Sequence, residues 1–478
     1  MGTATRDPGS FRDPSGYVLH YRDAIYRSLD RATFDRLRTF LASPIYRQLS
    51  GSGDLLPVTV ASDSERDDLA RLEQRDDRHY LRQRRLDLIS YPYEWSPRML
   101  HDAARCTLRI QSALVSHGFT LKDASAYNIQ FDATDRGPSP VFIDLASIES
   151  APAQPIWMAH NQFVRHFALP LLLYRQFGHD YRGDFLSDLE GINPDTAFRM
   201  TGLIRRWLPP FLFLVTVPHL LRGMEDQRGA KLDQRLKTPA STDPERDRYI
   251  LSRLTRRLER LIERLEPSAR RSAWTGYEAD NSYPDAAAAA KQEFVARACA
   301  TLKPTRMINL GCNLGKFDVI AAEHGAEVLA IDLDLASIDV VYERAREHHA
   351  RIIPLRIDIA APSPAIGWKN RERRLFLERA CRFDCVMALA VVHHLLITNR
   401  IPLDEVVDLT ARLSTRHLIL ELVDRSDAMF QRLARNNQYL YADLTIASQE
   451  RAFTERFRVI ERRDLEGIPR TLYVMEKR

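Results

Sequence analysis

Long apolar runs are missing from this 478-residue chain: the longest, Phe211 to Leu221, carries Pro218 and is too short to span a bilayer. The N-terminus has Arg and Asp where a secretory leader would need an apolar core. Cysteine is scarce, with five residues, Cys106, Cys299, Cys312, Cys381 and Cys385. They form no C-x-x-C pair and no Cys/His cluster, so structural zinc is not expected and a reducing, cytoplasmic setting is. Basic runs are absent too. A net charge of +5 is small for this length, and the arginines are interspersed with Asp and Glu. That pattern predicts a solvated surface, with neither a nucleic-acid nor a membrane partner. No lysine precedes Lys122, and there is no internal repeat.

What is present describes a globular protein, with 45% hydrophobic and 28% charged residues. The length exceeds one ordinary core, so more than one domain is expected. The boundaries read as an N-terminal domain over 1–223, a helical connector over 224–270 and a C-terminal domain over 271–478. Within the connector, Arg246 to Leu265 repeats Ile250, Leu254, Leu258, Leu261, Ile262 and Leu265 at helical spacing, with Arg and Glu opposite. Packing against a neighbouring domain is the expected use of such a helix.

Beyond the connector, short β-type runs alternate with helical stretches. Arg306–Leu310, Glu327–Ile331, Ile352–Arg356, Asp384–Ala388 and Leu418–Leu422 come first, and Phe457–Glu461 and Thr471–Met475 follow. Such alternation predicts βαβ units around a parallel sheet. The first strand runs into Gly311-Cys312-Asn313-Leu314-Gly315 and then into a helix. Glycines there allow close backbone approach to a nucleotide-like ligand, although packing turns use glycine as well. The second strand ends in Asp332, the third in Asp358, and the fourth in Ala388-Leu389-Ala390-Val391-Val392-His393-His394. Acids at successive strand ends mark the edge where a ligand crevice forms in an open sheet.

In order and spacing these residues resemble the motifs of class I S-adenosylmethionine-dependent methyltransferases. The resemblance implies S-adenosyl-L-methionine as cofactor and a Rossmann-like sheet with helices on both faces. It implies that Gly311 and Gly315 flank the methionine portion, that Asp332 holds the ribose and that Asp358 reads the adenine. Leu333, Ile359, Ala388 and Leu389 would lie beside them. Two departures stand out: Asn309 replaces the usual acid of the glycine strand, and Asn313 replaces the usual middle glycine. Either amide can hydrogen-bond the amino-acid portion of the cofactor. A nicotinamide-binding domain is the rival, but the glycine spacing does not fit G-x-G-x-x-G.

Methyl transfer often needs a base near the acceptor. His393 and His394 follow the fourth strand, and neutral imidazole suits the task, His394 being the better placed. Equally, one ring packs and the other bonds backbone. Glu421 is a further candidate, for orienting the acceptor or the imidazole, its alternative being an ion pair with an arginine. Two segments read as specificity elements. Pro362 to Arg373, with Trp368, suits a loop over the pocket, and Trp274 to Pro284, ahead of a helix bearing Lys291 and Phe294, suits a lid or a packing arm.

In the N-terminal half, Pro97 to His117 reads as a helix. Gly118 to Phe131 follows, carrying Asp123 and Asn128, and then Pro140 to Ala146, carrying Asp144. This order resembles the catalytic segment of kinase-like phosphotransferases. The resemblance implies a base position at Asp123 and metal positions at Asn128 and Asp144. With no strand lysine before Lys122 and Gly51-Ser52-Gly53 a poor phosphate loop, an α+β, degenerate kinase-like lobe is expected.

Taken whole, the chain resembles a methyltransferase-like group that includes a rhizobial nodulation protein. The expected activity is methylation of an oxygen or nitrogen on a small molecule or biosynthetic intermediate, with no metal. The alternatives are a non-catalytic cofactor-binding scaffold and a bifunctional phosphotransferase–methyltransferase.

Overall fold

A computed structural model describes residues 3–151, 155–220, 243–268, 284–380 and 382–478. The N-terminal half opens with a five-stranded antiparallel sheet in the order β1-β2-β3-β5-β4. Its strands are β1 (Thr5–Arg6), β2 (Gly16–Tyr21), β3 (Ala24–Leu29), β4 (Val58–Val60) and β5 (His79–Arg84). The helix Pro97–Ser116 follows, capped by Ser96, whose hydroxyl accepts from Met99 N, with Pro97 in the first turn. Leu100, Ala104, Leu108, Gln111 and Val115, the face expected from the periodicity, are all buried. Next come β6 (Phe119–Leu121), β7 (Ile129–Thr134), β8 (Gly137–Phe142) and β9 (Ile148–Ser150). Strands β7 and β8 form a hairpin, and β6 pairs with β9.

The connector helix spans Pro244–Arg264 and is capped by Asp243. Its buried stripe is Leu251, Thr255, Leu258, Ile262 and Leu265, rotated from the sequence expectation so that Ile250 faces solvent at 37% exposure. The reason is its neighbour: the helix lies along Pro97–Ser116, where His101 Nε2 meets Ile262 O at 3.0 Å. The remaining connector residues 224–242 and the aromatic segment 274–283 lie outside the described residues.

All seven expected C-terminal strands form, as β10 (Arg306–Leu310), β11 (Glu327–Asp332), β12 (Ile352–Arg356), β13 (Phe383–Leu389), β14 (Ser414–Val423), β15 (Phe457–Asp464) and β16 (Arg470–Lys477). They make one sheet in the order β12-β11-β10-β13-β14-β16-β15. The first five are mutually parallel, while β16 runs antiparallel to β14 and β15 antiparallel to β16. The sheet is therefore mixed. The order reverses between β10 and β13, which opens a crevice at their carboxyl ends.

The two halves share one apolar core, and polar ties cross between them. Arg379 donates to Glu94 at 2.5 and 3.2 Å, Tyr342 Oη donates to Asp102 at 2.8 Å, and Arg356 Nη1 bonds Asp180 at 2.7 Å. The segment Pro362 to Arg373 is tied to the N-terminal half. Glu372 accepts two bonds from Arg12 at 2.6 and 2.9 Å, and the guanidinium of Arg373 lies 4.2 Å above the Tyr127 ring. Its Trp368 is exposed.

Candidate functional site

The turn after β10 requires glycine at both ends. Gly311 and Gly315 have φ of +73° and +77°, where a side chain is strained. A Cβ on Gly311 would stand 3.1 Å from Val391, and one on Gly315 would stand 3.0 Å from Val341. Asn313 itself adopts a left-handed φ of +49°, a conformation asparagine tolerates better than most residues. Asp332, at the end of β11, closes over this turn. Its Oδ2 accepts from Asn313 N at 2.9 Å, and its Oδ1 accepts from Asp334 N, also at 2.9 Å. Burial nonetheless pushes its carboxyl above the ordinary range.

The other candidates fall along the same edge. Asp358 follows β12, is half-buried, and accepts from Ala360 N at 2.9 Å. Backbone joins it to Asp332, whose carbonyl accepts from Ile357 N at 2.9 Å. Leu333 is exposed, Ile359 half-buried, Leu389 nearly buried and Ala388 fully buried. Ala390, directly after β13, has φ of +54°, a strained backbone at the rim of the crevice.

Asn309 sits at the end of β10, 2% exposed. Its Nδ2 donates to both oxygens of Asp318 at 3.0 Å, and its Oδ1 finds no partner among the described residues. Asp318, in the helix Lys316–Glu323, is fully buried, and burial raises its carboxyl to about 7. Sequence reading did not select it, because an acid in a helix's first turn looks like ordinary capping chemistry.

On the acceptor side, His393 and His394 begin the short helix Val392–Ile397, with ring centroids 4.3 Å apart. His393 is 2% exposed, and neither of its ring nitrogens has a hydrogen-bond partner among the described residues, whereas His394 is half-buried. Burial, then neighbouring positive charge, depresses both imidazoles, His393 the more strongly. Glu421, on β14, is fully buried and held by cations: Lys291 Nζ stands 2.6 Å from Oε2 and Arg470 Nη1 stands 3.6 Å from Oε1. Arg470 also binds Asp427 at 2.8 Å. Lys291, which the sequence suggested only as part of a lid, thus belongs to a balanced buried cluster of two cations and two anions. Arg470 and Asp427 carry no sequence signal, because only the antiparallel pairing of β16 with β14 brings them there.

In the N-terminal half, Asp123 accepts from Ser125 N at 2.8 Å, and burial raises its carboxyl. Asp144 accepts from Ser147 Oγ at 2.5 Å and pairs with Arg27 Nη1 at 2.8 Å. Asn128 Nδ2 reaches Ser147 Oγ at 3.5 Å. No group of three or more His, Cys, Asp or Glu side chains suited to a metal ion occurs among the described residues, and no described helix is long and apolar enough to cross a membrane.

No protein-family model matches the chain. Over 474 residues, 99% of this chain and 96% of the relative, it is 33% identical to nodulation protein NoeA of Rhizobium meliloti (strain 1021). The chain belongs to the NoeA family. The aligned stretch covers both halves of the chain. Solved structures similar to part of the chain include the N-methyltransferase NodS from Bradyrhizobium japonicum WM9 in complex with S-adenosylhomocysteine. It is 15% identical, with 43% of this chain and 97% of that chain covered and a TM-score of 0.31. Magnesium protoporphyrin IX methyltransferase from Synechocystis PCC 6803, with bound S-adenosylhomocysteine, is 16% identical over 43% of this chain and 92% of that one, at a TM-score of 0.31. The bifunctional kinase-methyltransferase WbdD is 20% identical over 44% of this chain and 43% of that one, at a TM-score of 0.30.

Proposed function

We propose that this NoeA-family protein is an S-adenosylmethionine-dependent methyltransferase acting on an oxygen or nitrogen of a small molecule or biosynthetic intermediate. The observation that carries the proposal is the closure of the Asp332 carboxylate over the Gly311–Gly315 turn, at the point where the strand order reverses. The antiparallel β16, set between β14 and β15, distinguishes the sheet from the dinucleotide-binding order. The residues fit the cofactor. Buried amide oxygens of Asn309 and Asn313 lack partners among the described residues, as acceptors awaiting a ligand's donors would.

When bound, the cofactor supplies an electrophilic methyl group on a sulfonium. Asp332 offers carboxylate oxygens to the ribose hydroxyls, and Asp358 offers an acceptor to the adenine amino group. His394, half-buried and neutral at pH 7, accepts the proton released by the acceptor atom. The Lys291–Glu421–Arg470–Asp427 cluster holds β14, β16 and the helix Asp285–Leu302 in register behind it. Binding of S-adenosylhomocysteine, weakened at least about tenfold by Asp332→Ala, is the test.

The N-terminal half supports a second reading only in part. Its order of helix, β6, loop with Asp123 and Asn128, β7–β8 hairpin and Asp144 resembles that of a kinase-like lobe. The ion pair of Arg27, on β3, occupies an Asp144 oxygen that a metal in such a lobe would need. We therefore read this half as a kinase-like lobe without phosphotransfer, which stabilises the chain and anchors the Pro362–Arg373 segment.

A further inference from the structure

We infer that Asp318 is a positioning residue for the cofactor: it fixes the side chain of Asn309 and supplies, from the helix, the negative charge that the glycine strand lacks. The inference deepens the cofactor assignment above and rests on it. Asn309 stands at the strand end where a methyltransferase of this class carries an acid, and an amide there brings no charge to meet an ammonium group. The structure restores that charge one layer back. Both Asp318 oxygens accept from Asn309 Nδ2 at 3.0 Å. An ionised carboxylate only accepts, so the amide must turn its NH₂ group inward and its Oδ1 away from Asp318. That Oδ1 is the buried oxygen without a partner among the described residues. An acceptor polarised by a carboxylate behind it is suited to a cationic donor.

No cation neutralises Asp318 in an ion pair among the described residues. Its surroundings are Asn309 on β10, Cys312 in the turn, Cys299 on the helix Asp285–Leu302, Asp332 at the end of β11, and Arg344 on the helix Leu335–Glu347. The Arg344 guanidinium donates to Leu314 O at 2.8 Å, so it lowers the carboxyl only from a distance. Burial and the like charge of Asp332 outweigh it, and the group titrates at about 7. A cation arriving at Asn309 favours the ionised form, so ligand binding expels a proton.

The sign is fixed by linkage: affinity for the ammonium-bearing ligand rises with pH through about 7 and levels off above it. Near pH 7 the free protein is about half protonated at this site, so binding releases about half a proton. The test is calorimetry of S-adenosylhomocysteine with the full chain at pH 7, in two buffers of different ionisation enthalpy. 5′-Methylthioadenosine, which has the adenosine but no ammonium, is titrated in parallel. The expected result is proton release with the first ligand only. Asp318→Asn should abolish the release and weaken binding about tenfold at pH 8, with little change at pH 6. Binding of S-adenosylhomocysteine without proton release, or equal release by both ligands, overturns the inference and leaves the cofactor assignment standing. Failure of either ligand to bind the wild-type chain overturns that assignment, and this inference with it. The wild-type comparison decides the matter even if Asp318→Asn does not fold.

Discussion

Arg379 and Glu94, one from each half of the chain, form an ion pair in which the side chains are 1% and 0% exposed. Tyr91 lies 4.3 Å below the guanidinium, and Ile89 O accepts another of its bonds. Breaking such a pair strands a buried charge, whereas removing both partners does not. Glu94→Gln should therefore cost about 3–5 kcal/mol in denaturant unfolding. Adding Arg379→Met should recover part of that loss. Additive losses would mean that the pair is not coupled.

Asp332→Ala should weaken S-adenosylhomocysteine at least about tenfold, since each charge-assisted bond lost is worth about 1.5–3 kcal/mol. Calorimetry reads the affinity, and circular dichroism checks that the Gly311–Gly315 turn has not unravelled the sheet. Unchanged affinity removes Asp332 from the site.

His394→Ala should slow single-turnover methyl transfer by about 10²–10⁴-fold and leave cofactor affinity nearly unchanged. Burial and the charge of Arg470 lower the His394 pKa. The neutral base is then already present at pH 7, and the wild-type rate should fall only as pH drops below the ordinary histidine range. A rate still climbing above pH 7 would point to another group. His393, with a strongly depressed pKa and almost no exposure, should matter less on substitution.

Asp318 also carries a stability signature. Its folded pKa is raised from 3.8 to about 7, so the fold binds this proton more tightly than the unfolded chain does. The resulting penalty grows as pH rises from about 4 to about 7 and is constant above. Without ligand, Asp318→Asn should be more stable than wild type at pH 8, by at most about 4 kcal/mol. The gap should close toward pH 4. Thermal unfolding across pH checks this, and a variant less stable at every pH contradicts it.

The N-terminal half should not turn over ATP with magnesium, and Asp144→Ala should leave methyl transfer largely intact. ATP turnover that disappears in Asp123→Ala would instead establish a phosphotransferase.

Much of the sheet was legible because βαβ units are local: each strand and its following turn announce themselves within a few residues. The glycine turn and Asp332 were legible for the same reason. The connector helix was legible in extent but not in facing, because Leu251 and Thr255 are chosen by the surface of the helix Pro97–Ser116. The sequence left Glu421 with two readings, a carboxylate that orients the acceptor or imidazole and an ion pair with an arginine, because Lys291 and Arg470, which lie against it, are distant in sequence. Arg27 escaped notice because nothing near it on β3 indicates that Asp144 lies opposite. The anchorage of Pro362–Arg373 by Arg12 and Tyr127 is likewise a tertiary fact.

On this reading S-adenosylmethionine sits in the crevice at the carboxyl ends of β10 and β13, beside Asp332 at the end of β11. A crystal structure of the full chain grown with S-adenosylhomocysteine tests it most directly. The ribose hydroxyls should lie within hydrogen-bond distance of the Asp332 carboxylate, the amino-acid portion against Gly311–Gly315, and the thioether should face His394. Ligand density elsewhere in the chain, or a ribose that does not touch Asp332, would contradict it.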